Sequence, residues 1–220
     1  MPLIRETILT TISAAGVVHM APIGLIAAEE GRWIAAPFAP STTSDNLRAV
    51  PQAVANHVGD VRVFAGCLTG RRTWPVLSCS HVLPPRLLAA ITHDEMVVER
   101  VEVDPQRPRY VCRIVRREQH APFEGYNRAQ AAVIEGAILV SRLSMLPPDK
   151  VAREMDYLRI AIAKTAGEEE RIAWSWLEEA VAAYAATPAG ATPAAASSAT
   201  AAAGAQAPSQ PGSDTPTASA

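Results

Sequence analysis

Cysteine is scarce in this chain: Cys67, Cys79 and Cys112 are the only three in 220 residues, and no two are spaced as Cys-x-x-Cys. An odd, scattered set argues against both a disulfide framework and a zinc site, and suits a reducing cytoplasm. Charge of one sign is also lacking. With 20 Lys and Arg against 22 Asp and Glu, the formal net charge is −2. No long-range field draws polyanions, so nucleic acid is not an expected partner. Long apolar runs are missing too, since the weakly polar stretch 129–140 is interrupted by Gln130 and Glu135 and is too short to span a bilayer. The opening Met-Pro-Leu-Ile-Arg-Glu-Thr has no basic stretch followed by a long apolar run. A soluble cytoplasmic protein without a membrane partner is expected. His19, His57, His81, His93 and His120 form no His-x-His or His-x-x-x-His pair, so no metal site is expected. Cys79 has His81 two residues on, yet nothing in the sequence marks an activated thiol.

What is present is the material of an ordinary globular domain: 49% hydrophobic and 19% charged residues, with no internal repeat. Residues 4–12 are rich in β-branched side chains and read as a strand. After the turn at Ser13–Gly16, residues 17–26 resume an extended pattern, and the two runs form an expected hairpin. Pro22 has no N–H to give a ladder, so it requires an edge position or a bulge. Gly24 leaves room for another backbone or a flat ligand. Glu29-Glu30-Gly31 is a second turn, residues 32–38 a third strand, and Pro51–His57 a fourth. A short helix follows Gly59-Asp60, with Val61, Phe64, Ala65 and Leu68 on one face.

Pro84-Pro85 ahead of Arg86-Leu87-Leu88-Ala89-Ala90 reads as another short helix with proline at its start. Alternation over Met96–Val103 and Arg109–Arg117, around the turn Asp104-Pro105-Gln106-Arg107-Pro108, gives the clearest hairpin. From residue 125 the pattern becomes helical. Residues 127–146 carry small residues at three-and-four spacing (Ala129, Ala132, Val133, Gly136, Ala137, Val140), a flat face that permits close packing. A second helix runs over 151–165 with Ala152, Met155, Leu158 and Ile162 on its apolar side. A third starts at Glu168-Glu169-Glu170, where acidic residues suit the dipole, and buries Ile172, Trp176, Leu177 and Ala180. The expected organisation is a barrel domain over 1–124, a helical segment packed on it over 125–185, and a disordered Ala/Pro/Ser/Thr-rich tail over 186–220.

One stretch stands out chemically. The apolar run Arg32–Phe38 leads straight into Ser41-Thr42-Thr43-Ser44-Asp45-Asn46. Hydroxyls, an amide and open backbone N–H groups at such a turn can cradle an anion, with Arg48 close by. The plain alternative is a polar loop with a helix N-cap, because the same residue types cap helices. Arg107, Arg109, Arg113, Arg116, Arg117 and Arg128 are the densest basic region. Interspersed acids make most of it read as a solvated hairpin face, and an acidic-substrate pocket is the sharper alternative.

Four segments carry a family likeness: Glu6–Thr11; His19-Met20-Ala21-Pro22-Ile23-Gly24; Pro37–Leu47; and Phe123–Ala129 with the helix after it. On these the chain resembles the FMN-binding split-barrel superfamily, which includes flavin reductases and pyridoxamine-phosphate oxidase relatives. More narrowly, it is similar to the family known as domain of unknown function 447, found in methanogenic archaea and in bacteria with methanopterin-linked one-carbon chemistry. The resemblance implies a mainly β protein with α, a six-stranded antiparallel Greek-key split barrel followed by a C-terminal helical segment. It also implies a homodimer holding FMN near the subunit interface. Ser41, Thr42, Thr43 and Asn46 would then lie near the phosphate, with His19 and Ala21-Pro22-Ile23-Gly24 along the flavin or its ribityl chain. Asn127 and Arg128 match the family's helix-start motif. The implied function is a flavin-dependent oxidoreductase acting on a small molecule, and the alternative is a non-catalytic flavin carrier. No acid–base constellation in the sequence separates the two.

Overall fold

The computed structural model describes residues 2–186, and the tail expected from 186 onward lies, Ala186 apart, outside the described residues. Six strands close into an antiparallel barrel: β1 (Ile4–Ile12), β2 (Val18–Ala27), β3 (Trp33–Ala35), β4 (Gln52–Val58), β7 (Ala90–Glu102) and β8 (Arg109–Gln119). Around the barrel they run β1-β2-β3-β8-β7-β4, so the chain crosses from β3 to β4 before the last hairpin, a Greek-key path. Helices α1 (Thr42–Ala49) and α2 (Arg62–Leu68) fill the crossings, and β5 (Val76–Leu77) pairs β6 (Arg86–Leu87) as a small separate ribbon. Three helices follow the barrel: α3 (Arg128–Val140), α4 (Pro148–Thr165) and α5 (Glu168–Ala185). Among the described residues no helix is long and apolar enough to cross a membrane.

Alternation in the strands separates two cores. Leu9, Leu25, Ala35, Ala53, Ala55, Met96, Tyr110 and Cys112 fill the barrel interior. Opposite-parity neighbours such as Ile8 pack outward with Phe64 and Cys67 of α2 and with Leu87. A third cluster joins α2 to the C-terminal helices.

Several elements differ from the sequence reading. Residues 86–90 form no helix: Leu87 pairs with Val76, its N–H donates to the Asn56 side chain at 2.7 Å, and β7 already begins at Ala90. Five residues after a double proline cannot nucleate a helix against such partners. The third strand is only Trp33–Ala35, because Pro37 cannot continue a ladder. The hydroxyl-rich stretch enters a helix over Thr42–Ala49, capped by Ser41 as the plain alternative expected. The long helix over 127–146 stops at Val140 and continues as turns. In α5 the buried stripe is Glu170, Ala173, Trp174 and Leu177, displaced from the expected Ile172, Trp176 and Ala180 by the burial of Glu170. The Glu170 carboxylate accepts from the Gly167 N–H at 2.9 Å and the Gln130 amide at 3.2 Å. In α4 Val151, Met155 and Ile162 are buried while Ala152 is exposed.

The small-residue face of α3 packs within the chain, against α5. A Cβ built on Gly136 would lie 3.0 Å from Trp174 Cζ3 and 3.1 Å from Leu177 Cδ1. Gly136→Val is therefore expected to destabilise the fold by about 2 kcal/mol, overpacking outweighing the small gain in helix propensity. Urea unfolding checks this. An unchanged midpoint would mean that α5 yields freely.

Candidate functional site

Pro22 explains where the barrel opens. β2 stays in unbroken register with β1 across it, Ile8 opposite Pro22 and Thr7 opposite Ile23. On its other side β2 meets β3 only at Ile26–Ile34 and Ala27–Trp33. The proline therefore sits on a stretch of β2 paired on one side alone, the edge-like setting in which proline is tolerated in a sheet. Of the two placements expected for it, the edge is the one found. Leaving β2 and β3 unpaired here creates a cleft of about 770 Å³. Pro22, Ile23 and Gly24 form one wall, Ala36, Pro37 and Phe38 a second, and Phe64, Ile134, Ala137 and Ile138 an apolar floor from α2 and α3. Its size and apolar walls with a few polar groups are those of a small-molecule site.

The charged groups lie at the rim. Arg107, Arg109, Arg142, Glu6 and Asp104 all line the cleft. Arg107 donates to the Ala36 carbonyl at 3.1 Å, and its guanidinium lies 4.8 Å from the centre of the Phe38 ring. It thus staples the β7–β8 turn to the segment leaving β3. Arg109 is paired with Glu102 at 2.9 Å. The Glu6 carboxyl, though open to solvent on one side, is pushed above the ordinary carboxylate value by burial and then by Glu135, against the pull of Arg142. The Cβ space of Gly24 is bounded by Ile4 at 2.9 Å and by this same Glu6 at 3.2 Å. Any larger residue would displace the rim.

Four residues beyond Phe38 the chain enters α1. Ser41 caps it, its Oγ accepting from the Ser44 N–H at 3.2 Å. The Thr42 and Thr43 N–H groups, at the start of the helix, have no intrahelical acceptor and point along the positive end of the dipole. Thr42 is exposed, whereas Thr43, Ser44 and Asn46 are buried. The Asn46 amide donates to Thr11 Oγ1 at 3.0 Å, and Ser44 Oγ lies 3.0 Å from the Tyr110 hydroxyl. The stretch is thus a capped helix, as the plain alternative expected, and the Thr42 and Thr43 N–H groups at its start are of the kind that can receive an anion.

The family model described as "Protein of unknown function (DUF447) N-terminal domain" matches residues 5–121, and the model for the C-terminal part of the same family matches 127–179. The chain belongs to the DUF447 family. Among solved structures, the FMN-bound DUF447 protein MM1853 of Methanosarcina mazei is similar over 82% of this chain and 96% of its own, at 19% identity and a TM-score of 0.71. The 2-nitrobenzoate 2-nitroreductase NbaA of Pseudomonas fluorescens covers 55% of this chain and 66% of its own at 16% identity, TM-score 0.46. Component B of nitrilotriacetate monooxygenase from Mycobacterium thermoresistibile covers 54% and 70% at 12% identity, TM-score 0.47. No curated protein matches the chain.

In this DUF447 chain the residues singled out in the sequence are partly brought together. Pro22, Ile23 and Gly24 line the cleft, whereas Ser41, Thr42, Thr43 and Asn46 lie outside its lining and follow the second wall only in sequence. His19 and Ala21 lie on β2 outside the lining, and burial, then Arg72, lowers the His19 pKa. Asn127 and Arg128 start α3, whose cleft-lining part begins at Ile134. Asn127 is an N-cap there, accepting from the Ala129 N–H at 2.7 Å and donating to the Thr165 carbonyl at 3.2 Å. Of the six arginines, Arg107 and Arg109 reach the cleft, while Arg113 and Arg116 pair with Glu99 and Glu118 on the hairpin face. Arg142 and Met145 were not visible as site residues in the sequence. They lie in the turns after α3, and only the early end of that helix brings them to the cleft.

Proposed function

We propose that this protein binds FMN in the cleft between β2, the β3–α1 segment and α3, and works as a flavin-dependent oxidoreductase on a small molecule. The observation that carries the reading is the stretch of β2 at Pro22–Gly24 left open on its β3 side, an apolar wall suited to a flat ring, facing a second wall, Ala36–Phe38, that leads into a helix N-terminus suited to a phosphate. An FMN-bound relative of the same fold supports it. When bound, FMN supplies the redox chemistry; the protein positions and tunes it. Pro22, Ile23 and Gly24 would hold the flavin, and Ile134, Ala137 and Ile138 would exclude water from the cleft floor. Ser41 fixes the start of α1 so that the Thr42 and Thr43 N–H groups and hydroxyls meet the phosphate. Exposed Phe38 and Met145 at the rim favour a second copy of the chain closing the cleft in a homodimer. Arg107, Arg109 and Arg142 suit a substrate carrying acidic groups. A reduced pterin of methanopterin-dependent one-carbon metabolism is the finer form of this proposal.

Anaerobic mixing of the FMN-loaded protein with NADH or NADPH tests the catalytic part. Rapid bleaching of the flavin by either nucleotide is the expected result. No bleaching by either nucleotide counts against nicotinamide-driven turnover and favours a carrier.

A further inference from the structure

Away from the cleft, on the outer face of β7, three chain segments converge on a buried imidazole. His93 and Glu95 are two apart on one strand and so share a face. His93 is 2% and Glu95 1% exposed. Half-buried Cys79, in the segment between β5 and β6, lies over them. The Cys79 thiol, a His93 ring nitrogen and a Glu95 carboxylate oxygen all lie within 4.8 Å of one another. Among the described residues His93 Nε2 has no hydrogen-bond partner although it is fully enclosed. An enclosed ring nitrogen left without a hydrogen bond favours a group that can bind it.

We infer that Cys79, His93 and Glu95 form a binding site for a divalent zinc-class cation. The geometry suits such an ion. His93 Nε2 stands 3.5 Å from Glu95 Oε1, close to the edge of about 3.4 Å that zinc–ligand bonds of about 2.0–2.1 Å imply for a tetrahedron. Thiolate, imidazole and carboxylate together favour zinc over the hard cations. The surrounding groups orient the ligands. His93 Nδ1 and His120 Nε2 are 2.8 Å apart with their rings 13° from parallel. His93 donating there leaves Nε2 free to ligate, the arrangement usual behind a metal-bound histidine. Glu95 is fixed by the His81 N–H at 2.6 Å and by the Ser80 N–H and hydroxyl at 3.3 and 3.2 Å. Ser80 and His81, beside the cluster, are exposed, so the buried ligands lie just beneath the surface.

The test is a titration of the untagged full-length chain, reduced and stripped of metal, with Co(II) alone. One equivalent bound per chain, with a thiolate-to-cobalt charge-transfer band and the visible bands of tetrahedral Co(II), all displaced by Zn(II), is the expected result. Cys79→Ser should lose the charge-transfer band while Cys67→Ser keeps it. His120→Ala, which removes only the orienting partner, should weaken binding roughly 10–100-fold with the spectrum retained. If His93→Gln fails to fold, Cys79→Ser still decides, because its side chain is half-exposed. Sub-stoichiometric binding, absence of the charge-transfer band, or its persistence in Cys79→Ser would overturn the inference.

Discussion

Replacing Thr42 by aspartate is expected to weaken FMN binding about 100-fold, or about 2.7 kcal/mol, while leaving the fold at least as stable. Thr42 is exposed at the first position of α1. A carboxylate there complements the helix dipole and adds a few tenths of a kcal/mol or more to the helix. Toward a phosphate at the same N–H groups it acts oppositely. It competes for the donors, repels the dianion and removes the Thr42 hydroxyl as a charge-assisted donor. Riboflavin has no phosphate, so its affinity should change by no more than about threefold, under 1 kcal/mol. Flavin fluorescence titrations of both ligands, with urea unfolding of the variant, separate these effects. Equal losses for FMN and riboflavin would place the phosphate away from α1. The milder double change Thr42→Val with Thr43→Val, which removes hydroxyls without adding charge, is expected to cost roughly 1–3 kcal/mol of FMN affinity.

The largest expected loss of stability lies at Asp94 inside the barrel. Asp94 is fully buried on the inward side of β7, opposite Ala55. It accepts from Arg117 at 2.5 and 2.7 Å and from the Trp33 indole N–H at 3.0 Å, with His57 at 3.4 Å. Burial alone would raise this carboxyl. The hydrogen bonds from Arg117 and then His57 outweigh it and hold the group well below the ordinary carboxylate range. Asp94→Asn keeps the shape but breaks the ion pair, and about 3 kcal/mol of destabilisation is expected at neutral pH. This is the low end for a broken buried pair, because half-exposed Arg117 can be rehydrated. The pH sign follows from the depressed folded value. The stabilisation is complete above the unfolded pKa of about 3.9 and is lost as pH falls through the lower folded value. Wild type should therefore lose more stability on acidification than Asp94→Asn. Parallel acid limbs would show that the pair contributes nothing.

The parts of the fold legible in the sequence are those where local pattern and tertiary packing agree. β1, β2, β4 and the β7–β8 hairpin announce themselves by β-branched residues and alternation, and the start of α5 by its acidic first turn. Pro22 was legible as an irregularity, and the structure adds that β3 stops short of it. Where reading failed, a distant partner decided. Leu87 follows Asn56 and Val76 into a strand against its local helical composition. The buried Glu170 rotates the inner face of α5 through contacts with Gln130 and Gly167. The Ser-Thr stretch was ambiguous because cap chemistry and anion chemistry use the same atoms. The cluster at Cys79, His93 and Glu95 was unreadable by spacing rules. Its ligands come from two segments, and His93 and Glu95 precede the strand expected from Met96, so their shared face appears only because β7 begins at Ala90.

The most direct measurement of the central claim is a pair of binding titrations on the full-length chain, FMN against riboflavin. The account expects one FMN per chain, held at least about 100-fold more tightly than riboflavin, since charge-assisted hydrogen bonds at the α1 N-terminus act on the phosphate alone. A chain that binds neither flavin, or both with equal affinity, would contradict it.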